Sequence, residues 1–384
     1  MQNNLSKRPR LLIVSDTGVS YDDNHEFVAF EPVVREIEHF GPLFDSITWI
    51  ASLQTHSEKN FRSVEGIEVN VVPCKRIGGH GLANRLNIIA EYFNLFFLIK
   101  KEIKKADVIH SRGPAHAAII CAILSFFIRK NKIYWHKYAG DYGRKELPAS
   151  FGFFRWLLVH AKHTHVTING RWPNQKPHLL SFENPCLTGE EIEAGAMSVK
   201  SKDFSGKLNL VFIGRIEDAK GVHRILHVLS KLDSDRIGQV HLVGDGPKRK
   251  EYEKYVNDNC KQEIIFHGFL QRDEINKILS MSHVFLLPSD TEGFPKVVAE
   301  ATNYGLIPIV SDVSCIGQYV IEGETGFLIE PKDENMLFEK TDNVLKMNGY
   351  QLQNMSERCH SLAELFTYSR YISRIKDEIL EEYE

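Results

Sequence analysis

The segment that follows a strand-like run at 208–213 places two cations between two glycines. It reads GRIEDAKG from Gly214 to Gly221, so Arg215 and Lys220 stand five residues apart. An arginine guanidinium can bind two phosphate oxygens at once, and a lysine ammonium adds a point charge. A helix is predicted to begin near Gly221, and the dipole at its N-terminus would also favour an anion. These residue types fit a diphosphate site, and a solvated loop is the alternative that they leave open.

A second segment, PSDTEGFPKVVAEA at 288–301, joins a strand end to a helix predicted at 296–303. The free backbone N–H groups at the start of that helix would suit phosphate or sugar oxygens. Glu300 lies eight residues after Glu292 and beside apolar helix positions, so its carboxylate needs a partner, such as a ribose diol. An ion pair with a basic neighbour is the alternative for Glu300, and a contribution to the helix dipole is the alternative for Glu292.

Two more strand ends in this half of the chain carry glycine turns. Gly244 opens the sequence GDGP, which is typical of a simple tight turn. His267, Gly268 and Phe269 end the next run. Gly268 would let a flat base lie against the backbone, whereas the Phe269 ring is expected in the core.

In the first half of the chain, a strand predicted at 132–135 ends at His136. A histidine at that point could bind a phosphate or position a sugar hydroxyl. His110, at the end of another run, is a second candidate, for which we favour a structural role with its ring bonded to a loop. The chain has 17 histidines, so a single histidine is little support for a site by itself.

Twelve short runs rich in Ile, Val, Leu and Phe must position these residues. Each run is stopped by Gly, Pro, Ser or Asp, and helical patterns lie between runs, which predicts βαβ units with parallel strands. The pattern therefore predicts an α/β fold with two doubly wound domains. The runs lie at 11–16, 46–52, 68–73, 107–113, 132–138, 165–170, 208–215, 240–246, 264–269, 283–289, 306–312 and 326–330.

Composition argues against several classes of protein. With 47 Lys+Arg against 50 Asp+Glu in 384 residues, the net charge of -3 gives no sign of a nucleic-acid partner. The six cysteines include no CxxC pair, so we predict neither a zinc site nor a disulfide framework, and a reduced, cytosolic setting fits best. The longest apolar stretch, at 117–128, is too short to span a bilayer.

The two halves of the chain differ in charge. Residues 1–184 carry 24 basic and 17 acidic side chains, and the remainder carries 23 basic and 33 acidic ones. This difference predicts two domains with different partners, over 1–184 and 207–364, and two unrelated surfaces that happen to differ in charge are the alternative. A linker is predicted over 185–206, where the apolar period is weak. An amphipathic helix is predicted over 365–384, packed either on the second domain or back on the first.

Taken together, these residues resemble the group 1 (family 4) glycosyltransferases, whose GT-B fold has two Rossmann-like domains facing across a cleft. The resemblance implies that 1–184 binds the acceptor, that 207–364 binds the nucleotide sugar, and that the helix over 365–384 packs back on the first domain. The two glutamates eight residues apart are the most specific element of the resemblance. The first half contributes DVIHSRGP at 107–114, IYWHKYAGDY at 133–142 and SFENP at 181–185. The second half contributes GRIEDAKG at 214–221, LVGDGP at 242–247, HGF at 267–269, EGFPKVVAE at 292–300 and GETGFLI at 323–329.

The resemblance implies an enzyme that moves a sugar from a UDP- or GDP-linked donor to an acceptor hydroxyl, retaining the anomeric configuration and needing no metal or other cofactor. It implies a catalytic set of Arg215, Lys220, Glu292 and His136. It implies donor binding by Gly214, Gly244, His267, Gly268, Phe269, Gly293, Phe294, Pro295, Lys296, Val297 and Glu300. The Gly-rich turn that the family has after its first strand is reduced here to Gly18, which we place on the acceptor side with Asp141.

The segment 82–105 joins an aromatic, apolar run to Arg85 and four lysines. It predicts either attachment to an anionic membrane surface or a core helix with a solvated basic end. The expected acceptor is a saccharide or lipid-linked saccharide of a bacterial surface polysaccharide, lipopolysaccharide or glycolipid, used in the cytoplasm or at the cytoplasmic face of the inner membrane. A GT-B sugar-nucleotide epimerase and a non-catalytic subunit that binds a nucleotide sugar are the alternatives.

Overall fold

The structure is a computed structural model that describes residues 8–55, 58, 60–75, 77 and 82–383, the side chains of 82–89 and 382 excepted. The chain forms two compact units. The first unit contains the described residues up to Glu183 and again from Tyr368 onward, and the second unit contains Asn184–Thr367.

Most of the strands are short and end in a loop that leads into a helix. In the first unit the strands are β1 (Arg10–Tyr21), β2 (Phe27–Phe30), β3 (Ser46–Leu53), β4 (Phe61–Ser63), β5 (Val69–Cys74), β6 (Val108–Gly113), β7 (Ile133–Tyr138), β8 (His165–Ile168) and β9 (Leu179–Ser181). In the second unit they are β10 (Leu208–Ile213), β11 (Ile237–Val243), β12 (Ile264–Gly268), β13 (Val284–Leu287), β14 (Ile307–Ser311) and β15 (Phe327–Ile329).

Helices alternate with these strands over most of the chain. The helices are α1 (Glu31–Glu38), α2 (Leu82–Ile103), α3 (His116–Ser125), α4 (Ala149–His160), α5 (Gly189–Ser201), α6 (Val222–Lys231), α7 (Arg249–Asn259), α8 (Arg272–Met281), α9 (Lys296–Asn303), α10 (Glu334–Lys346), α11 (Gly349–Ala363) and α12 (Tyr368–Glu378).

The second unit is built on one sheet of parallel strands in the order β12-β11-β10-β13-β14-β15. The first strand of the unit lies near the middle, and the chain winds outward from it in both directions. This arrangement confirms the predicted doubly wound α/β fold. The strand order reverses between β10 and β13, so the loops that follow these two strands flank a crevice at the carboxyl edge of the sheet.

The first unit has a parallel sheet of the same kind, in the order β5-β3-β1-β6-β7-β8-β9. The sequence did not predict β2 and β4, and β2 pairs antiparallel with the end of β1. Strand β1 therefore continues to Tyr21, and Gly18 lies within a strand where the sequence analysis placed a turn. The pairing with β3 shifts between Val14 and Gly18, so a bulge lets the strand extend past its first buried run.

The segment 185–206 differs from the predicted linker, because it contains helix α5 and belongs to the second unit. Thr188 and Glu191 form a capping box, in which each side chain accepts from the other residue's backbone N–H. Small residues let α5 lie close to α9, and a Cβ on Gly195 would come within 2.4 Å of the backbone oxygen of Asn303. A contact face of small residues has little apolar periodicity, so the pattern did not indicate a helix.

The final helix, α12, packs in the first unit. Its residues Tyr371 and Ile375 are buried in a core that also contains side chains of β1, β3 and α1. The Tyr371 hydroxyl donates to Glu36 at 2.9 Å, and Glu36 is a fully buried carboxylate on α1. Glu36 also accepts from Arg112 at 2.7 and 3.1 Å and from Lys137 at 2.8 and 3.0 Å. One buried carboxylate thus joins α1, the ends of β6 and β7, and the last helix of the chain.

We expect Glu36→Ala to destabilise the first unit by about 3–5 kcal/mol, because two cations with little solvent access lose their shared counter-charge. Tyr371→Phe removes one hydrogen bond to a charged group and should cost about 1.5–3 kcal/mol. All four tryptophans of the chain lie in this unit, so urea unfolding followed by tryptophan fluorescence reports on it selectively. The exposed Glu65→Ala is the control, and a Glu36→Ala protein as stable as that control would contradict the role of this carboxylate.

Candidate active site

The loops after β10 and β13 are in backbone contact at the point where the strand order of the second sheet reverses. Gly221 has a φ of +76°, and a Cβ on it would lie 2.1 Å from the carbonyl oxygen of Pro288. Glycine is therefore required at this position, both for its backbone angle and for the close approach. The backbone N–H of Asp290 also donates to the carbonyl oxygen of Ala219 at 2.9 Å. The two segments in which the sequence predicted a ligand site are thus brought together.

Lys220 and Glu292 form an ion pair between the same two loops. The Lys220 Nζ donates to the Glu292 Oε1 at 2.6 Å, and the two side chains are 26% and 10% exposed. The pair joins the cation predicted to bind a diphosphate to the glutamate predicted to lie beside a sugar. Because both side chains keep some access to solvent, an anion with more charge than one carboxylate can compete for Lys220.

Arg224 on α6 is a further link between these loops that the sequence analysis missed. Its nearly buried guanidinium donates to the carbonyl oxygen of Pro288 at 2.7 Å and to the carboxylate of Asp290. The available signal was an arginine among the apolar positions of a helix, since a buried cation needs a fixed partner. Arg224 therefore holds the loop after β13 against α6.

Arg215 does not join this cluster. Its side chain is 71% exposed, and its Nε lies 3.5 Å from Oε2 of Glu217 in the same loop. The two predicted cations are therefore separated in the structure, because Lys220 turns toward Glu292 while Arg215 extends into solvent. The long side chain of Arg215 has to turn inward before it can reach a ligand beside Lys220.

Glu300 has the ion pair that the sequence analysis gave as its alternative. Its Oε1 accepts from Nη1 of Arg272, the first residue of α8, at 2.9 Å. Arg272 also donates to the carboxylate of Glu191 on α5 and, at 3.1 Å, to the carbonyl oxygen of Cys186. Burial alone would lower the pKa of Arg272, but the two carboxylates raise it. Arg272 is therefore a fixed cation that orients Glu300, and the sequence pattern did not single it out.

Three of the predicted glycines meet at the carboxyl ends of β10, β11 and β12. Gly244 donates its N–H to the carbonyl oxygen of Gly268 at 2.8 Å, and both residues have a positive φ. A Cβ on Gly244 would lie 1.9 Å from the carbonyl oxygen of Gly214. These contacts require glycine at Gly244 and keep the three strand ends close together.

His267 and Phe269 flank the glycine at the end of β12. The His267 Nε2 lies 3.0 Å from Nδ1 of His241, and burial lowers the pKa of both imidazoles. Phe269 is 36% exposed, so the prediction that its ring lies in the core is wrong. Its position in the loop after β12, beyond the end of the strand, explains the exposure.

The helix predicted after the EGFP sequence is α9, and it begins at the predicted residue. Its N-cap residue, Pro295, makes no side-chain capping bond. The Phe294 ring is 6% exposed and stacks on Phe366 with 4.8 Å between ring centroids, so its contribution to a ligand site is limited to its backbone. The other predicted contacts of this segment, Gly293, Lys296 and Val297, are half-buried.

The two histidine candidates of the first unit lie inside strands. Strand β7 continues to Tyr138, as the run at 132–138 indicated, so the strand does not end at His136, and the ring of His136 is fully buried. The His136 Nδ1 lies 2.6 Å from Oγ of Ser111, and burial lowers the pKa of His136 to about 3. His110 is also fully buried and stacks on Trp135, so its partner is a neighbouring strand and not a loop.

The two residues predicted on the acceptor side have local partners. Gly18 lies within β1, and Asp141 accepts from the backbone N–H of Gly143 at 3.0 Å in the loop after β7. Asp16 accepts from the first two backbone N–H groups of α3 at 3.1 and 3.3 Å. The carboxylate of Asp16 thus already accepts hydrogen bonds from the free N–H groups at the N-terminus of α3.

Several known proteins are similar to this chain in sequence or in fold. The sequence model described as "Glycosyl transferases group 1" matches residues 196–363. An uncharacterised 41.2 kDa protein in the cps region of Klebsiella pneumoniae is 24% identical over 280 residues, which are 66% of this chain and 74% of that protein. Protein CapJ of Staphylococcus aureus is 23% identical over 368 residues, which are 91% of this chain and 89% of that protein.

Solved structures of low sequence identity share the fold over nearly the whole chain. Sucrose-phosphate synthase of Thermosynechococcus elongatus has a TM-score of 0.69 at 17% identity, covering 98% of this chain and 99% of that one. HepE of Anabaena, solved in complex with UDP and glucose, has a TM-score of 0.67 at 13% identity, covering 96% and 99%. Residues 196–363 therefore match the group 1 glycosyltransferases, and the two doubly wound units of the chain have the GT-B fold.

Proposed function

We propose that the protein is a retaining glycosyltransferase that moves a sugar from a UDP- or GDP-sugar to a hydroxyl of a saccharide or lipid-linked saccharide. The product belongs to a bacterial surface polysaccharide, lipopolysaccharide or glycolipid, made at the cytoplasmic face of the membrane. The observation that carries the proposal is the contact between the loops after β10 and β13, which sets Lys220 and Glu292 2.6 Å apart at the reversal of strand order. Ligands of open parallel sheets bind at such points.

The proposed chemistry is stabilisation of the leaving group. When the bond from the sugar to the diphosphate breaks, negative charge grows on the phosphate, and preorganised cations lower the energy of that transition state. Lys220 takes the phosphate in place of Glu292, and Arg215 turns in from solvent as the second cation. Glu292, released from Lys220, then accepts from hydroxyls of the donor sugar. In this proposal the two cations supply the charge stabilisation without a resident metal.

The relatives support the choice of donor and pathway. HepE was solved with UDP and glucose, which favours a uridine donor as the first to test. One relative is encoded in a cps region and another is named CapJ, which supports a role in surface polysaccharide synthesis.

A donor panel tests the proposal. UDP- and GDP-linked hexoses and N-acetylhexosamines are each incubated with the protein, first alone and then with saccharide acceptors, and products are followed by NMR. We expect binding and slow hydrolysis of one donor, and transfer that keeps the anomeric configuration of the sugar. Conversion of the donor to an isomer without acceptor would identify an epimerase, and binding without hydrolysis or transfer would identify a non-catalytic subunit. Either result would contradict the proposal.

Lys220→Ala should lower turnover by about 10²- to 10³-fold, because one preorganised charge at the leaving group is lost. Arg215→Ala should act in the same direction, and Lys220→Arg should keep part of the rate. Lys231→Ala is the matched control, since Lys231 lies at the far end of α6 in a largely exposed ion pair with Glu334. Initial rates at saturating donor provide the measurement, and a Lys220→Ala enzyme as fast as Lys231→Ala would refute the assigned role.

Glu300→Gln should remove discrimination between a nucleoside diphosphate and its 2′-deoxy analogue, because a charged acceptor for the ribose hydroxyls is lost. The loss of such a bond, about 1.5–3 kcal/mol, corresponds to an affinity change of about tenfold or more. Calorimetry with UDP or GDP and the deoxy analogue measures the effect. Glu324→Gln, which changes an exposed ion pair, is the control. Equal discrimination by Glu300→Gln and wild type would count against a ribose contact.

Arg272→Ala should raise the donor KM more than it lowers kcat, because Arg272 orients Glu300 and does not touch the reacting atoms. Arg272→Lys keeps the charge but loses the forked geometry, so it should restore part of the affinity. The ratio of the affinities for the nucleoside diphosphate and for its 2′-deoxy analogue separates this positioning role from general destabilisation. A variant with weaker binding but unchanged discrimination would show that Arg272 only supports the fold.

A further inference from the structure

Helices α2, α3 and α4 cover one face of the sheet in the first unit. Leu95 and Ile99 of α2 share a core with Cys121 of α3 and with residues of β1 and β6. Phe154 of α4 packs with Ala118 of α3 in a second core. The inner sides of the three helices thus pack in the core of the unit, and α3 lies between the other two helices.

The outer side of α2 carries aromatic and basic residues on one stripe. Phe93 and Phe97, one helical turn apart, are each 61% exposed. The exposed Lys101 follows one turn later, and Lys104 lies just beyond the end of the helix. Aromatic rings next to lysines on the solvent side of a helix are typical of segments that lie in a membrane interface.

Helix α4 and the end of α3 continue this surface. Phe153 and Trp156 of α4 are 45% and 54% exposed, and their rings stack at 6.1 Å. Phe127, directly after α3, is 80% exposed and is followed by the exposed Arg129 and Lys130. Among the fifteen large apolar side chains that are exposed in the described part of the chain, six belong to α2, α4 or the end of α3, so the exposure is concentrated there.

Acidic side chains are nearly absent from the outer side of this layer. The sequences of α3 and α4 contain no Asp or Glu, and α2 contains only Glu91 and Glu102. Glu91 pairs with Lys75 at 3.0 Å, and the side chain of Glu102 is 7% exposed and pairs with Lys105 at 2.8 Å. The exposed charge beside the aromatic rings is therefore positive, which selects an anionic partner.

We propose that this aromatic–basic surface, formed by Phe93, Phe97, Phe127, Phe153 and Trp156 with the flanking Lys101 and Arg129, binds the surface of an anionic lipid bilayer. The rings enter the interface between headgroups and acyl chains, and the cations pair with lipid phosphates. The helices in the described ranges lack the length and hydropathy of a membrane span. The binding that we propose is peripheral.

An anionic lipid surface suits both the exposed aromatic rings and the basic side chains beside them. If two copies of the chain paired through this face, their positive charges would face each other, and the repulsion would oppose pairing. The inference deepens the proposed function, and rests on it, in one respect: it selects a lipid-linked acceptor over a soluble saccharide. Vesicle binding is measured without donor or acceptor, so its failure is distinguishable from failure of the transferase assignment.

The first test is flotation of the full chain with vesicles. Vesicles of phosphatidylglycerol and phosphatidylethanolamine should carry the protein to the top of the gradient, and vesicles of phosphatidylcholine alone should not. Raising the salt concentration should weaken binding, since the charge attraction is screened. Absence from the anionic vesicles, or equal binding to both kinds, would overturn the proposal.

Paired substitutions then locate the surface. Phe93→Ser with Phe97→Ser, and separately Phe153→Ser with Trp156→Ser, should each lower partitioning by about tenfold or more. Lys101→Glu with Lys104→Glu should do the same through charge alone, which keeps the test valid if an aromatic variant folds poorly. The control is Met197→Ser with Tyr350→Ser, two exposed apolar residues of the second unit. Wild-type binding by all three surface variants would refute the assignment.

Quenching by brominated lipids reports the contact directly. Trp49 and Trp135 are buried, and Trp172 is half-buried with its Nε1 donating to the carbonyl oxygen of Asn169, so most of the quenched fluorescence should come from the more exposed Trp156. Trp156→Phe should keep binding in the flotation assay but lose most of the quenching. Sedimentation without lipid tests the other occupant: a dimer that the surface variants abolish would assign this face to a second copy of the chain and overturn the proposal.

Discussion

The active site proposed for this protein depends on one constraint, the close backbone contact between the loops after β10 and β13. Parallel strands bring these loops to one edge of the sheet, but topology alone leaves them free to move apart. Gly221 lets one loop approach the carbonyl group of Pro288 in the other, and Arg224, in the first turn of α6, donates to the same carbonyl oxygen. These contacts keep Lys220 of one loop within hydrogen-bond distance of Glu292 of the other. A ligand that enters here meets a site whose geometry is set beforehand, which is how an enzyme stabilises developing charge at low reorganisation cost.

Ionic clusters in the two units differ in their access to solvent, and this difference separates structural from functional charge. Glu36 in the first unit is fully buried and surrounded by three donors, so its charge cannot be exchanged without unfolding. Lys220 and Glu292 in the second unit keep partial exposure, and Arg215 is mostly in solvent. Only the second kind of charge can release one partner and take an incoming phosphate. The imidazole of His136 in the first unit is fully buried as well.

The sequence predicted those features that arise locally. Each apolar run became a strand, and glycine turns such as Gly244 fell at strand ends, because strand formation and turn angles depend on neighbouring residues. Features that depend on distant partners were missed: Arg272 on α8 meets Glu191 of α5, and Arg224 on α6 meets Asp290 of the loop after β13. Helix α5 was missed for a different reason, since its packing uses small side chains that leave no apolar period. The exposure of the aromatic residues of α4 could not be predicted from the sequence, because it depends on which side of the helix packs on the sheet.

The most direct test of the account is a crystal structure of the protein with a bound nucleoside diphosphate, UDP or GDP. The account predicts the diphosphate between the loops after β10 and β13, with Lys220 moved from Glu292 to a phosphate oxygen and Arg215 turned inward. The ribose hydroxyls should contact Glu300 while Arg272 keeps its place. A nucleotide bound at another edge of the second unit, or bound here with the Lys220–Glu292 pair intact, would contradict it.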